Sequence, residues 1–149
     1  MKTSAAFSYG FNLIELMITI AIAMILMFVA VPGYQVIMSK ERFTNATNNL
    51  YNAYRYARSE AIKSAAPMRL VPIDSSWAKG WQVLDVNNIV LQQAGAPHSS
   101  VTVTGNEIKI LGTGALTTSA SFKITDTTNT RYLCVLSSGQ SQLQEGACS

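Results

Sequence analysis

The sequence predicts an α+β chain in which one long N-terminal helix, transmembrane in its first half, packs through its second half on a small antiparallel β domain. Three observations predict it. The run from Leu16 to Ser39 carries no charged residue. From Phe43 to Ala65 apolar residues recur at three- and four-residue steps, the spacing of one helical face. After Pro67 the chain breaks into short β-prone segments punctuated by Ser, Thr, Asn and Gly. The residues beyond the apolar run number about 110, enough for one small domain with a modest core.

The first element opens with a single acid, Glu15, at the threshold of the apolar run. Leu16 to Ser39 spans about 24 residues, or about 36 Å as a helix, against a bilayer core of about 30 Å. A carboxylate near the bilayer centre costs roughly 2.5–3.5 kcal/mol, so Glu15 is expected to have a partner and a task. Pro32 removes a backbone hydrogen bond and disfavours helix at Val31, which predicts a kink there. Farther on, Phe43, Ala46, Leu50, Ala53, Tyr54, Ala57, Ala61 and Ala65 make one apolar stripe that needs a cover. The helix is therefore read as continuous from about Asn12 to about Ala65, ended before Pro67. Asn45, Asn48, Asn49 and Asn52 fall mostly on its exposed face. Tyr51, Tyr54 and Tyr56, interleaved with Arg55, Arg58, Lys63 and Arg69, resemble a nucleic-acid patch in composition. Adjacent helical residues point in different directions, however, so packing is the favoured role of the tyrosines.

The strand segments are Met68–Ile73, Gly80–Val86, Ile89–Gln93, Val101–Thr104, Glu107–Leu111, Ser121–Thr125 and Arg131–Leu136. Asp85-Val86-Asn87-Asn88 and Gly105-Asn106 read as hairpin turns. Thr113–Ser121 is small and polar enough for a mobile loop. These elements make one antiparallel sheet, or two small ones, against the helix.

Composition argues against catalysis. There is one histidine, the carboxylates Asp74, Asp85, Glu107, Asp126 and Glu145 are scattered, and no phosphate-binding glycine loop or nucleophile-elbow serine appears. Ser99 beside His98 is sequence adjacency in a loop rather than a dyad. Two cysteines and one histidine do not make a zinc site at this spacing, and no cofactor is expected. Of the eleven Lys and Arg only Lys2, and of the eight Asp and Glu only Glu15, precede Ser39, which leaves ten against seven beyond it. That is a mild positive excess and not the footprint of a nucleic-acid receptor. Lys2 and the small residues Ala21-Ile22-Ala23 fit an ordinary secretory signal. Glu15 at the start of the apolar run, and the continuation of that run past Ala23, argue against one.

Gly10-Phe11-Asn12-Leu13-Ile14-Glu15-Leu16 closely resembles the processing site of type IV pilins and of the pseudopilins of type II secretion. The resemblance implies a pilin-like fold and cleavage by a prepilin peptidase between Gly10 and Phe11. It also implies N-methylation of Phe11, with Glu15 as the charge partner of that amine during assembly, and a helix that loosens at Pro32. The chain then divides into a leader, residues 1–10, a transmembrane and assembly helix, residues 11–39, and a globular domain, residues 40–149. The positive-inside count by itself points to the opposite orientation, since Lys40 and Arg42 follow the apolar run. The resemblance implies a cytoplasmic leader and a periplasmic domain, in which Cys134 and Cys148 are expected to form a disulfide worth about 3 kcal/mol.

Arg58-Ser59-Glu60-Ala61-Ile62-Lys63, then Trp77, Gly80-Trp81-Gln82-Val83, Phe122 and Cys134 look like the minor pilin and minor pseudopilin subfamily, FimU/FimT/GspH-like. Trp81 reads as a core anchor, and Arg58 and Glu60 equally as a solvated helix end or as an ion pair to the sheet. Subfamily members that take up DNA carry Gly-Arg-x-Arg or Gly-Arg-x-Lys where this chain has Ser138-Gly139-Gln140-Ser141-Gln142. Neutral side chains release no counterions, so direct DNA binding is disfavoured. A basic cluster of Arg55–Arg69 with Lys79 or Arg131 is the remaining route to it. The resemblance implies a minor pilin that enters a type IV pilus near its tip and helps prime assembly. The alternatives are a minor pseudopilin of type II secretion and a DNA-binding minor pilin. Implied partners are the prepilin peptidase, other minor pilins and the major pilin, the inner-membrane assembly platform and membrane lipid. The implied location is the inner membrane before assembly and the pilus afterwards.

Overall fold

The computed structural model describes residues 12–148, without the side chains of residues 29–32. Gly10 and Phe11, the expected cleavage and methylation positions, lie outside the described residues, as does the side chain of Pro32, where the kink is expected. The described chain divides into two units between Met38 and Ser39. A single helix, α1 (Leu13–Ser64), contributes to both. Asn12 starts it by accepting the Glu15 N–H on its carbonyl at 3.0 Å and the Ile14 N–H on its side chain at 3.4 Å. Ala65, at φ 50°, ends it. The Ala66 N–H reaches back to the Ala61 carbonyl and the Ala65 N–H to that of Ile62, a Schellman closure, and Pro67 prevents continuation.

In the first unit every described large apolar side chain from Leu13 to Ile37 is exposed, Phe28 at 83%. No single helix among the described residues is long and apolar enough to cross a membrane. Leu13–Phe28 and Gly33–Ser64 meet that test only when taken together.

The second unit places the rest of α1 with eight strands in two antiparallel sheets. The strands are β1 (Met68–Ile73), β2 (Ser76–Leu84), β3 (Val90–Ala94), β4 (Thr102–Gly105), β5 (Ile108–Ile110), β6 (Ala120–Thr125), β7 (Thr130–Val135) and β8 (Ser141–Gln144). One sheet runs β3-β2-β1-β5 and the other β4-β6-β7-β8. The fold is thus the expected α+β arrangement, in its two-sheet form. The stripe from Phe43 to Ala61 is buried in one core cluster with both sheets, including Leu70, Trp81 and Val83 from the first and Phe122, Ile124 and Leu133 from the second. Ala65 is exposed because the left-handed turn takes it off the helical face. Thr47, fully buried beside the stripe, satisfies its hydroxyl by donating to the Phe43 carbonyl at 2.8 Å.

Asp85–Asn88 does form the β2–β3 turn. The Asp85 carboxylate accepts the Asn87 and Ile89 N–H groups, and Asn88 takes φ 61°. Gly105-Asn106 does not form a hairpin, because β4 pairs with β6 and β5 with β1, so the chain changes sheets there. The reason is packing. Phe122 lies against Gly105, where an added Cβ would sit 2.3 Å from its ring, and the Trp77 indole N–H donates to the Gly105 carbonyl at 2.9 Å. Trp77 also meets Phe122 edge-on at 5.2 Å and thereby ties β2 to the opposite sheet.

Thr113–Ser121 is not a free loop. Leu116 is buried in the core, bridges to Ile110, and donates its N–H to the Ser137 carbonyl at 2.8 Å, while Ala120 and Ser121 already belong to β6. Strand β8 falls outside the expected segments. Its only inward apolar residue is Leu143, which packs on the core opposite Leu133.

Candidate functional site

The helix carries its polar side chains to one end of the domain, where two glycines meet. Tyr54 is buried on α1, and its hydroxyl donates to the Gly139 carbonyl at 2.6 Å. One turn later the Arg58 Nε donates to the Gly114 carbonyl at 3.0 Å. Gly139 sits in the β7–β8 turn at φ 83°, and a Cβ there would stand 2.0 Å from the Gly114 oxygen. Only glycine allows this approach. Burial raises the Tyr54 phenol above its ordinary value of 10.0, and the nearby Arg58 charge opposes that shift.

Tyr54 and Arg58, fixed by these contacts, line an open groove of about 1000 Å³. One wall is α1, with Tyr51, Arg55 and Arg58, and the other is the β7–β8 region, with Gln140, Ser141 and Gln142. The Arg55 guanidinium lies over the Tyr51 ring, 5.6 Å from its centre. Gln140, Ser141 and Gln142, the end of the neutral segment that begins at Ser138, therefore make one lip of this groove. Tyr56 is exposed, apart from the half-buried Tyr51 and the buried Tyr54, so the three tyrosines share no face.

The remaining basic residues do not join the groove. Arg69 pairs with Glu107 at 3.3 Å, Lys79 with Asp74 at 3.0 Å, and Arg131 lies over the Phe43 ring. Arg69 and Lys79 are thus each matched by a carboxylate and Arg131 by a ring, and none of the three lines the groove with Arg55 and Arg58. Arg58 is neither a solvated helix end nor an ion pair to the sheet, because a loop carbonyl holds it. Glu60 pairs locally with Lys63 at 3.5 Å. Trp81 is a core anchor, 1% exposed. His98 Nδ1 accepts the Ser100 N–H at 3.2 Å and contacts its hydroxyl at 2.9 Å, which employs the ring in a local turn without Ser99. Among the described residues no three His, Cys, Asp or Glu side chains gather to hold a metal ion.

Cys134 on β7 and Cys148 are disulfide-bonded, with Cα atoms 5.6 Å apart. The bond fastens the C-terminal segment beside β8. Gln144 supports it by donating to the Gly146 and Ala147 carbonyls at 3.1 and 2.9 Å. Glu15 lies in the first turn of α1, exposed, where a negative charge suits the helix dipole.

The groove was missed in the sequence for two reasons. Gly114 and Gly139 are far apart in the chain, and β8 carries one apolar residue where a strand signal needs alternation.

Comparison with known proteins places this architecture. The family described as type II transport protein GspH matches residues 46–139. Two crystal forms of FimU, a type IV minor pilin of Pseudomonas aeruginosa, share the fold. One superposes with a TM-score of 0.63 at 20% identity, covering 72% of this chain and 92% of FimU. The other gives 0.59 at 22% identity, covering 68% and 91%. No curated protein sequence matches the chain.

Proposed function

This chain belongs to the GspH family of type II transport proteins, and on that premise we propose that it is a minor pilin, built into a type IV pilus near its tip, that helps prime assembly. The observation that carries the reading is the uncovered first part of α1: large apolar side chains exposed from Leu13 to Ile37, on the same helix whose later part is sealed in the domain. Such a segment needs a second solvent. Lipid supplies it before assembly and neighbouring helices supply it in a fibre, so one apolar surface serves both states.

In this reading the prepilin peptidase cuts after Gly10, Phe11 becomes the methylated N-terminus, and the domain lies on the periplasmic side of the inner membrane until extraction. Glu15 then pairs with the Phe11 amine of its own or an adjacent subunit and sets the axial register. Opposite charges 4 Å apart are worth about 4 kcal/mol at an effective dielectric of 20. Pro32 marks where the helix loosens on leaving the membrane. The partners are the other minor pilins, the major pilin and the assembly platform. The fold shared with nearly all of the FimU chain favours a pilus. The GspH match supports a second reading, a minor pseudopilin in the periplasmic fibre of a type II secretion system.

The test is incorporation. Glu15→Ala is expected to leave membrane insertion and domain folding unchanged, since it makes the helix more apolar, yet to reduce the subunit in sheared, purified pili at least tenfold relative to its membrane pool. Mass spectrometry of the wild-type subunit from the same pili should give an N-terminus at methylated Phe11. Recovery of the wild type only in a secretion fibre would select the second reading. A mature N-terminus beyond Ala23 would end both.

A further inference from the structure

Strand β8 is the last strand of its sheet. It pairs with β7 from Tyr132↔Gln144 to Val135↔Ser141, and among the described residues its other edge makes no backbone hydrogen bond. Exposed edges are commonly blunted by lysine or proline, and Ser141-Gln142-Leu143-Gln144 contains neither. Unpaired N–H and C=O groups in such an edge accept an extended chain in a way that is indifferent to its sequence.

The same strand borders the groove, and the opposite wall is charged. Arg55 and Arg58 line it, and among the described residues no Asp or Glu does. The ion pairs of the domain, Lys63–Glu60, Arg69–Glu107 and Lys79–Asp74, lie elsewhere. Arg58 spends its Nε on the Gly114 carbonyl, and Arg55 rests on the Tyr51 ring, so neither guanidinium is neutralised by an acid among the described residues. The Tyr51 ring and the Gly114 carbonyl hold both side chains in place. Pre-set guanidinium groups of this kind suit a carboxylate, which they bind through paired hydrogen bonds.

We propose that this groove is a docking surface for an acidic, extended segment of a partner protein. The segment adds to β8 as a fifth strand of its sheet and sets a carboxylate against Arg55 and Arg58. Two independent features converge on one occupant. The open edge calls for an extended polypeptide, and the unopposed guanidinium pair calls for negative charge on it. A nucleic-acid duplex satisfies the charge but offers no strand to the edge. The surface stands on the geometry of the domain alone and is the same for a pilus or a secretion fibre.

The test uses the full chain in detergent micelles with two capped heptapeptides, one alternating valine with glutamate and the other alternating valine with lysine. Hydrogen exchange of the Ser141–Gln144 amides and a binding titration are read together. The glutamate peptide is expected to slow exchange of outward-facing β8 amides at least tenfold, and the lysine peptide to leave it unchanged. Arg55→Gln should weaken the glutamate peptide at least fivefold. The Arg55 side chain makes no hydrogen bond among the described residues, so this variant should fold as the wild type does, with unchanged exchange in the core strands. Equal protection by both peptides would overturn the proposal, as would protection confined to β3 or β4, or undiminished binding by Arg55→Gln. So would a short DNA duplex that binds tightly through Arg55 while β8 exchange stays unaltered, since the groove would then be a phosphate site.

Discussion

The two parts of α1 are made of similar residues and meet opposite fates. Leu26 is 64% exposed and Leu50 is 0% exposed, though both lie on one helix. The difference is spacing. From Leu13 to Ile37 apolar residues surround the helix, so no arrangement on a single domain face could cover them all. From Phe43 to Ala61 they follow one stripe, with Asn45, Asn48, Asn49 and Asn52 turned to solvent, and two small sheets suffice to bury it. A helix apolar all round requires an apolar surrounding, whereas an amphipathic one requires only a neighbour. The first part is thus specified by what surrounds the chain and the second by the chain itself.

The same substitution made in each part tests this most directly. Leu50→Ala removes a fully buried side chain and should lower the domain's unfolding free energy by about 3 kcal/mol, within the usual range for core Leu→Ala changes. Leu26→Ala should leave it within about 0.5 kcal/mol of wild type, as at other exposed sites. Chemical denaturation of the full chain in detergent, followed by Trp77 and Trp81 fluorescence, measures both. Similar losses from the two variants would break the distinction.

A comparable effect comes from the disulfide. Cys134 and Cys148 are 14 positions apart, and closing a loop of that size is worth about 3 kcal/mol, largely by restricting the unfolded chain. Reduction should lower the domain's denaturation midpoint, and by the same amount in Leu26→Ala as in the wild type. If reduction left the midpoint unchanged, the tail beside β8 would be held by its hydrogen bonds alone.

The smallest effect sharpens the picture of the groove. Tyr54→Phe removes the hydrogen bond to the Gly139 carbonyl and should cost about 1 kcal/mol at neutral pH. Burial raises the folded-state phenol above 10.0, so the unfolded state loses its proton first as the pH climbs. Stability contributed by the neutral phenol is present in full below pH 10 and declines as pH rises through the folded-state value. Melting curves between pH 8 and 11 should show that decline in the wild type and a shallower one in Tyr54→Phe. Parallel curves would mean that Tyr54 does not govern it.

Much of the domain was legible because its signals are local. The helical stripe needs only spacing, and the end of α1 only Pro67. The Asp85–Asn88 turn needs only side chains that bond their own backbone. Trp81 was readable as a core anchor from its size and strand context alone. The groove was not legible, since its walls come from α1 and from the β7–β8 region, and Arg58 is held there by Gly114 of a third segment. Arg55 and Arg58 looked like members of a wider basic cluster until Glu107 and Asp74 were seen to claim Arg69 and Lys79.

By itself the sequence determined the α+β class, the course of α1 and most of the strands, because hydrophobic period and turn chemistry act within a few residues. It also determined the processing-site resemblance at Gly10, Phe11 and Glu15, which depends on order alone. The tertiary structure decided which strands share a sheet. Gly105 reads as a turn in isolation, yet Phe122 and Trp77 pack on it and send β4 and β5 into different sheets. It also decided that a weakly apolar segment becomes β8, since pairing with β7 and the anchorage of Leu143 outweigh its local propensity. Long-range contacts of this kind carry no local pattern, because each side chain gains its partner only when distant parts of the chain have closed around it.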